Sequence, residues 1–370
     1  MNGILIVGGT GTVGRRIAKN LAPDYPNRVI VAARNTEKAR DLAAELGHGV
    51  RARPIDVRDR SSVDAALEDV GTVISCVVQP ETPNLLLASI AGGLGYTDIA
   101  PMSVKRPPYP AELTTEAVRT GASIILGAGM VPGISNILAR MGADSVGPVE
   151  VVETTCLLSV GDEYGADSRR YLAEEIATGF SVRINGEEVL SRPFTRPKRI
   201  EFAPPLGAVT ARLFPFSDQV HYPATLGAST AVSRLALLPP WISRVMAIAV
   251  PTAGSRLAHP RGASRQRLEW LMDWLKRRYT GLDWWGVHVE VRGARGVHRA
   301  SVQGRGQANA TALSASAFVR ALVEREVDRP GIWTADQVVP VRAFLERMTA
   351  HGLVPMVNVR EHSNPGSGPQ

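Results

Sequence analysis

Glycines stand at positions 9, 11 and 14, directly behind the short apolar run Ile4-Leu5-Ile6-Val7, and their spacing is G-x-G-x-x-G. Such spacing suits one chemistry. The first glycine permits a tight turn after a strand, the second lets backbone approach a pyrophosphate, and the third lets the following helix lie close to the strand. Gly9, Thr10, Gly11, Thr12, Val13 and Gly14 therefore form the expected phosphate-binding turn, with the unpaired N–H groups of the helix start facing the anion. A plain turn uses glycines too, but the strand before and the helical pattern after favour a dinucleotide.

The residues that would choose the dinucleotide follow the second apolar run, Arg28 to Ala33. An acidic residue there would accept the ribose 2′-hydroxyl of NAD, whereas this chain supplies Arg34, Asn35, Thr36 and nearby Lys38, which suit a 2′-phosphate. NADP (NADPH) is expected over NAD; the competing view makes Arg34 an ordinary surface charge. Asp56 and Val57, at the exit of the third strand, are expected beside the adenine. Cys76 and Val77 in the fourth strand, and Pro80 after it, are expected beside the nicotinamide.

Proton-handling groups are less sharply marked. Tyr96 and Asp98, in G-Y-T-D, end a strand on the side where ligands bind in such sheets, although turn chemistry and strand capping explain them equally well. His221 and Tyr222, on an expected Pro-flanked loop, would reach across from a second domain or be a partly buried polar loop. Arg169 and Arg170 would clamp a carboxylate, or line an exposed helix face. The seven histidines form no metal-spaced pair, so no metal is expected.

Composition bounds the rest. With 370 residues, 44% of them hydrophobic, the chain is long enough for two domains. Its two cysteines, Cys76 and Cys156, lie in separate apolar runs and draw no disulfide framework. The net charge of +7 and pI near 9.7 come from arginines scattered among acids. Only Lys276 to Arg278 is a tight basic run, read as a solvated helix face, so no nucleic-acid partner is expected. No signal-peptide pattern opens the sequence, and a cytoplasmic location is expected. Leu235 to Val250 is the most apolar later stretch, but Pro239, Pro240 and Arg244 interrupt it; it is expected to be a buried or lid-like segment, with no membrane partner.

The elements that must position these groups alternate strand and helix through the first third, as a doubly wound parallel sheet requires. The expected fold class is α/β, a Rossmann-like domain with an inserted, sheet-rich α+β second domain. Strand candidates at Val149 to Ser159, Val209 to Leu213 and Val287 to Val291, and a hairpin around Asn185-Gly186, crowd the middle with few helices between them. Helices are expected at Asp167 to Thr178, Arg265 to Arg278, Thr311 to Glu324 and Ala335 to His351. The boundaries expected are 1–139 for the NADP-binding domain and 140–330 for the substrate and dimerisation domain. A C-terminal helix in 331–362 would return to the first domain, and 363–370 would be a disordered tail.

The glycine turn, Ala32-Ala33-Arg34-Asn35, Gly95-Tyr96-Thr97-Asp98 and above all G-A-G-M-V-P-G-I-S-N at Gly127 to Asn136 resemble the saccharopine dehydrogenase (reductase) family. The later layout is similar to its lysine 6-dehydrogenase-like branch, through Val287 to Val291, Ala300 to Gln307, Gln307 to Arg320 and Arg329 to Val338. The resemblance implies a nicotinamide oxidoreductase acting on amino-acid-derived imines, with a homodimer formed through the inserted domain. Short-chain dehydrogenases share the glycine turn, but none of the seven tyrosines has a lysine four residues on. Two alternatives stay open: a C=O or C=C reductase for a less polar metabolite, and an NmrA-like redox sensor that binds NADP without turnover. Replacing Arg34 by aspartate should weaken NADPH by the worth of a charge-assisted contact, roughly 1.5 to 3 kcal/mol or about ten- to a hundredfold, and NADH much less. Equal losses in a fluorescence titration would remove Arg34 from cofactor choice.

Overall fold

The computed structural model describes residues 2–78, 82–99, 111–163, 175–176, 179–258, 270 and 274–361, with backbone alone for 251–258 and 361. The first two strands are apolar throughout, and so are buried on both faces. β1 (Gly3–Val7), β2 (Val29–Ala33), β3 (Arg51–Pro54), β4 (Val70–Ser75), β5 (Gly95–Asp98), β6 (Ser123–Leu126) and the late β15 (Gly331–Thr334) form one parallel sheet in the order β15-β6-β5-β4-β1-β2-β3. Continuous apolar strands are what a sheet covered by helices on both sides needs. The helices are α1 (Gly14–Leu21), α2 (Thr36–Leu46), α3 (Arg60–Ala66), α4 (Asn84–Ala91), α5 (Ala111–Thr120) and α6 (Ile134–Val146). The strand order reverses between β1 and β4, where such sheets open a crevice at their carboxyl ends.

The second sheet is mixed. It runs β10 (Lys198–Glu201), β11 (Ala208–Leu213), β12 (Thr230–Leu238), β7 (Val149–Ser159), β13 (Trp284–Gly293), β14 (Gly296–Arg305) and β16 (Met356–Glu361), with β8 (Phe180–Ile184) on β12 and β9 (Glu187–Ser191) on β8. The β8–β9 hairpin turns at Asn185 (φ 51°) and Gly186 (φ 86°), the two positive angles a two-residue turn demands. α7 (Asp218–Thr225), α8 (Pro240–Ala258), α9 (Gln307–Val323), α10 (Ala335–Val338) and α11 (Val341–Ala350) complete the fold. One buried cluster joins Ile4, Ile6, Ile134, Ile137, Val287, Val291 and Phe318, so the two sheets share a core through α6.

Several elements depart from expectation. Asp218 to Tyr222 is not a loop: it is the buried first turns of α7, despite Pro223 within the helix. Leu235 to Val250 is not one segment but the end of β12, a Pro239 turn and the start of α8. The chain returns to the first sheet at Gly306, well before residue 330. α9, rich in small residues, packs against α1, β4 and β5. The last helix is divided, because Pro340 has no N–H to continue α10 and instead precedes α11. Residues 356–361, within the span expected to return to the first domain as a helix, instead add an edge strand to the second sheet. Arg169, Arg170 and Pro80, most of the expected helix at 167–178 and the tail at 363–370 lie outside the described residues; 274–278 is helical as expected. Among the described residues, no helix is long and apolar enough to cross a membrane.

The halves approach closely at Gly142 of α6. A Cβ there would lie 2.5 Å from Val291 Cγ2 on β13 and 2.9 Å from its Cβ. Gly142→Val should therefore overpack the shared core, lower stability by about 1–3 kcal/mol and reduce the thermal midpoint by a few degrees. An unchanged midpoint in a calorimetric scan would mean that α6 and β13 separate easily.

Candidate dinucleotide site

The turn after β1 is held by its own backbone. Gly8 (φ 75°) and Gly9 donate to the Ala32 carbonyl, Gly11 donates to Gly8, and α1 begins at Gly14. A Cβ on Gly14 would stand 2.3 Å from the Gly8 carbonyl oxygen, so only glycine lets the helix start this close to the strand exit. A Cβ on Gly11 would meet that same oxygen at 3.1 Å, a tight contact, and nothing else within 4 Å, so the rest of its surroundings is open. That is the cradle a pyrophosphate requires, and Gly9, Thr10, Gly11, Thr12, Val13 and Gly14 fit it.

Arg34 is exposed at the end of β2. Asn35 serves the fold, since its Oδ1 accepts from the Lys38 N–H at 3.0 Å and caps α2. Asp56 follows β3, accepts from the Arg58 N–H and gives its own N–H to Ser62 Oγ, while Asn84 donates to the Val57 and Arg58 carbonyls. Cys76 and Val77 leave β4 beside the turn. Burial, and then the Asp98 carboxylate, push the Cys76 thiol up to about 12, so it stays a thiol. Arg16 ties the turn to the second domain. It donates to the Thr12 carbonyl at 2.6 Å and to Glu163 Oε2 at 2.8 Å, while Asp162 Oδ2 accepts from the Gln307 N–H at 2.6 Å at the start of α9.

Asp98 is 3% exposed and Tyr96 wholly buried. Asp98 Oδ1 accepts from the Gly127 N–H at 3.1 Å, Oδ2 accepts from the Tyr96 hydroxyl at 3.3 Å, and the Asp98 carbonyl accepts from the Ala128 N–H at 2.6 Å. This pins β5 to the turn that closes β6. Burial raises the carboxyl to about 7 against the pull of those two donors.

His221 and Tyr222 belong to a buried polar cluster under the second sheet. The Tyr222 hydroxyl donates to Asp218 Oδ2 at 3.2 Å and lies 3.4 Å from Thr154 Oγ1; Ser233 Oγ and the Gln219 N–H donate to Asp218 Oδ1. Burial raises Asp218 and lifts the Tyr222 phenol well above its ordinary range. Burial lowers His221, and Asp336 offsets this only in part. Asp336 accepts from Asn136 Nδ2 at 2.8 Å, and Asn136 Oδ1 accepts from the Gly133 N–H, so the V-P-G turn, α6 and α10 meet there. Nothing in the sequence marks Asp336 or Asp218 as a site group. Asn136 closes the G-A-G-M-V-P-G-I-S-N motif, but nothing local links it to a residue 200 positions away. Among the described residues, no cluster of His, Cys, Asp and Glu would hold a metal ion.

Residues 4–131, which hold the glycine turn, Arg34, Asp56, Cys76 and Asp98, match the family described as the saccharopine dehydrogenase NADP binding domain. The match spans about a third of the chain, all of it within the first domain. A curated relative, saccharopine dehydrogenase [NADP(+), L-glutamate-forming] of Saccharomyces cerevisiae, is 31% identical over 138 residues. That match covers 37% of this chain and 30% of the yeast protein. The solved structure of the apo yeast enzyme resembles this chain with a TM-score of 0.65 at 15% identity, over 97% of this chain and 100% of that one. The homospermidine synthase of Legionella pneumophila in complex with NAD also scores 0.65, at 14% identity, over 99% and 93%. At those identities the two structures establish the fold, including the mixed second sheet of a saccharopine dehydrogenase.

Because Asp98 titrates near 7 when folded and near 3.8 when exposed, the folded state holds its proton more tightly. Its contribution to stability is full below the ordinary value and is lost as pH rises towards 7, at roughly 1.4 kcal/mol per pH unit. Asp98→Asn keeps an acceptor for the Gly127 N–H and cannot ionise. Urea unfolding should show the variant gaining on the parent between pH 4 and 7; parallel profiles would mean that the carboxyl is solvated.

Proposed function

We propose that the chain is an NADP-dependent oxidoreductase that reduces the C=N bond of an amino-acid-derived metabolite, or oxidises the corresponding amine. The observation that carries the cofactor choice is Arg34, exposed at the end of β2 with no acid beside it to claim a ribose 2′-hydroxyl. The bound cofactor supplies the hydride. The glycine turn binds the pyrophosphate, with Arg16 steadying its Thr12 carbonyl, and Arg34 meets the 2′-phosphate. Asp56 and Val57 border the adenine, and Cys76 and Val77 the nicotinamide ribose.

The amino-acid-derived substrate rests on the saccharopine dehydrogenase character of the first domain. Asp98 and Tyr96 act as positioning residues, because Asp98 accepts from the Tyr96 hydroxyl and from the Gly127 N–H of the turn after β6. His221, in which burial favours the neutral imidazole and Asp336 opposes that only in part, is the proton-handling group. Tyr222 keeps its proton and holds Asp218.

Gly11→Val would fill the open side of the turn with a β-branched side chain and should abolish NADPH binding while the circular dichroism spectrum and thermal transition stay near those of the parent. Retained affinity would make the loop only a turn. NADPH oxidation followed against imines, ketones and enones should show turnover with the imines; turnover confined to enones or ketones, or none with any of the three, would overturn the substrate assignment.

A further inference from the structure

Although basic residues are scattered along the whole sequence, the excess of bases over acids is greatest in one stretch. Residues 239–280 contain eight basic and two acidic side chains, so this stretch carries six of the seven net charges of the whole protein. It also carries three of the six tryptophans, Trp241, Trp270 and Trp274, and all three are exposed, by 41%, 62% and 41%.

α8 shows how these residues are displayed. It buries Ile242, Ser243 and Val250 against the second sheet, with Ser243 Oγ accepting from the Leu237 N–H at 2.9 Å. On the other side Trp241, Val245 and Ile248 recur at i, i+4 and i+7, half or more of Val245 and Ile248 open to solvent, with Arg244 among them. A helix on the surface of a water-soluble protein ordinarily turns a polar face outward. This one is apolar on both sides.

The second helical piece lies next to it. Trp241 Nε1 donates to the Tyr279 hydroxyl at 3.1 Å, and the Arg278 guanidinium stands 5.5 Å from the Tyr279 ring centre. Trp270, Trp274 and Arg278 repeat every four residues, and Lys276, Arg277 and Arg278 are all exposed. Outward tryptophans and aliphatic side chains flanked by cations are the composition of a segment that lies in the headgroup region of a bilayer. The position is also defined. α8 starts at the carboxyl end of β12, whose Leu238 pairs with Ser159 of β7, and Glu163 just beyond β7 is the residue that pairs with Arg16 at the glycine turn.

We propose that Trp241, Val245, Trp270 and Trp274, with Arg244 and Lys276 to Arg278, form a docking surface for an anionic membrane. The protein rests on the bilayer without crossing it. The charge complementarity selects acidic headgroups, and the tryptophan rings enter the interface.

Co-sedimentation of the full chain with sucrose-loaded vesicles tests this. The protein should pellet with phosphatidylcholine vesicles containing phosphatidylglycerol, remain in the supernatant with phosphatidylcholine alone, and dissociate as salt is raised. Tryptophan emission should shift to the blue and be quenched by brominated lipid. K276E/R277E and, separately, W270S/W274S should each lower partitioning at least about tenfold with unchanged NADPH titration and circular dichroism. Failure to pellet with anionic vesicles, binding indifferent to headgroup charge and salt, or variants that bind as the parent does would overturn the proposal. So would light scattering in which the two variants turn a dimeric parent into monomers, since the patch would then be covered by a second copy. Cofactor affinity is read independently, so the assignment of the first domain stands or falls apart from this one.

Discussion

No side chain fits between α6 and the second sheet at residue 142, and that missing Cβ sets how near the two halves of the molecule lie. The same helix begins in the V-P-G turn at the edge of the first sheet, where Asn136 joins the turn to Asp336 of α10. One helix therefore carries both relations: its start is fixed to the parallel sheet and its body is pressed under the mixed one. Ile134, Ile137 and Leu138 bury what faces inward. With α6 placed, the polar residues of α7 have only one surface to meet, and the cluster of Asp218, Tyr222 and Thr154 closes there.

Charge is handled differently on the two sides of the second sheet. Towards α6 and α7, buried acids keep their protons or lean on hydroxyls and backbone N–H groups, as Asp218 does. On the opposite face Glu290 is held down to about 2, because Lys198, Arg292 and Arg299 outweigh the cost of burying it. Glu153 beside it pairs with Lys198 and Arg234. These pairs link β7, β10, β12, β13 and β14. Buried pairs of this kind add less net stability than their number suggests, but removing one member leaves a charge stranded. Their effect is to fix how β10 folds over the sheet.

The parallel sheet is legible in the sequence because β1, β2, β4 and β6 are largely apolar runs bounded by turn residues, the glycine turn adds a fixed spacing, and the more polar β3 and β5 take their place from the alternation of strand and helix. The hairpin at Asn185-Gly186 is legible for the same local reason. β15 is not, because Gly331 to Thr334 is four residues long and its partner, β6, lies two hundred positions earlier. α7 is hidden because the proline in D-Q-V-H-Y-P signals a loop; Pro223 is tolerated so near the end of the helix that the buried turns before it survive. In the candidate site, residues proposed from a short spacing, such as Gly9, Gly11, Gly14 and Arg34, can be picked out in the chain. Asp336 and Asp218 cannot, because their partners come from other elements and no interval in the chain encodes the meeting.

The chain passes out of the first sheet after β6 and comes back for α9 and β15, then leaves again for β16. On the ribosome this order has a cost in time. Six strands of the dinucleotide domain are synthesised first, yet the helix that covers β4 and β5 and the strand that completes the edge beside β6 are made only after the whole second sheet apart from β16. Until Gln307–Val323 emerges, the face formed by β4, β5 and α1 is an apolar surface without its cover. The half of the molecule that begins first is finished late, and its nascent form is the one most in need of protection from aggregation.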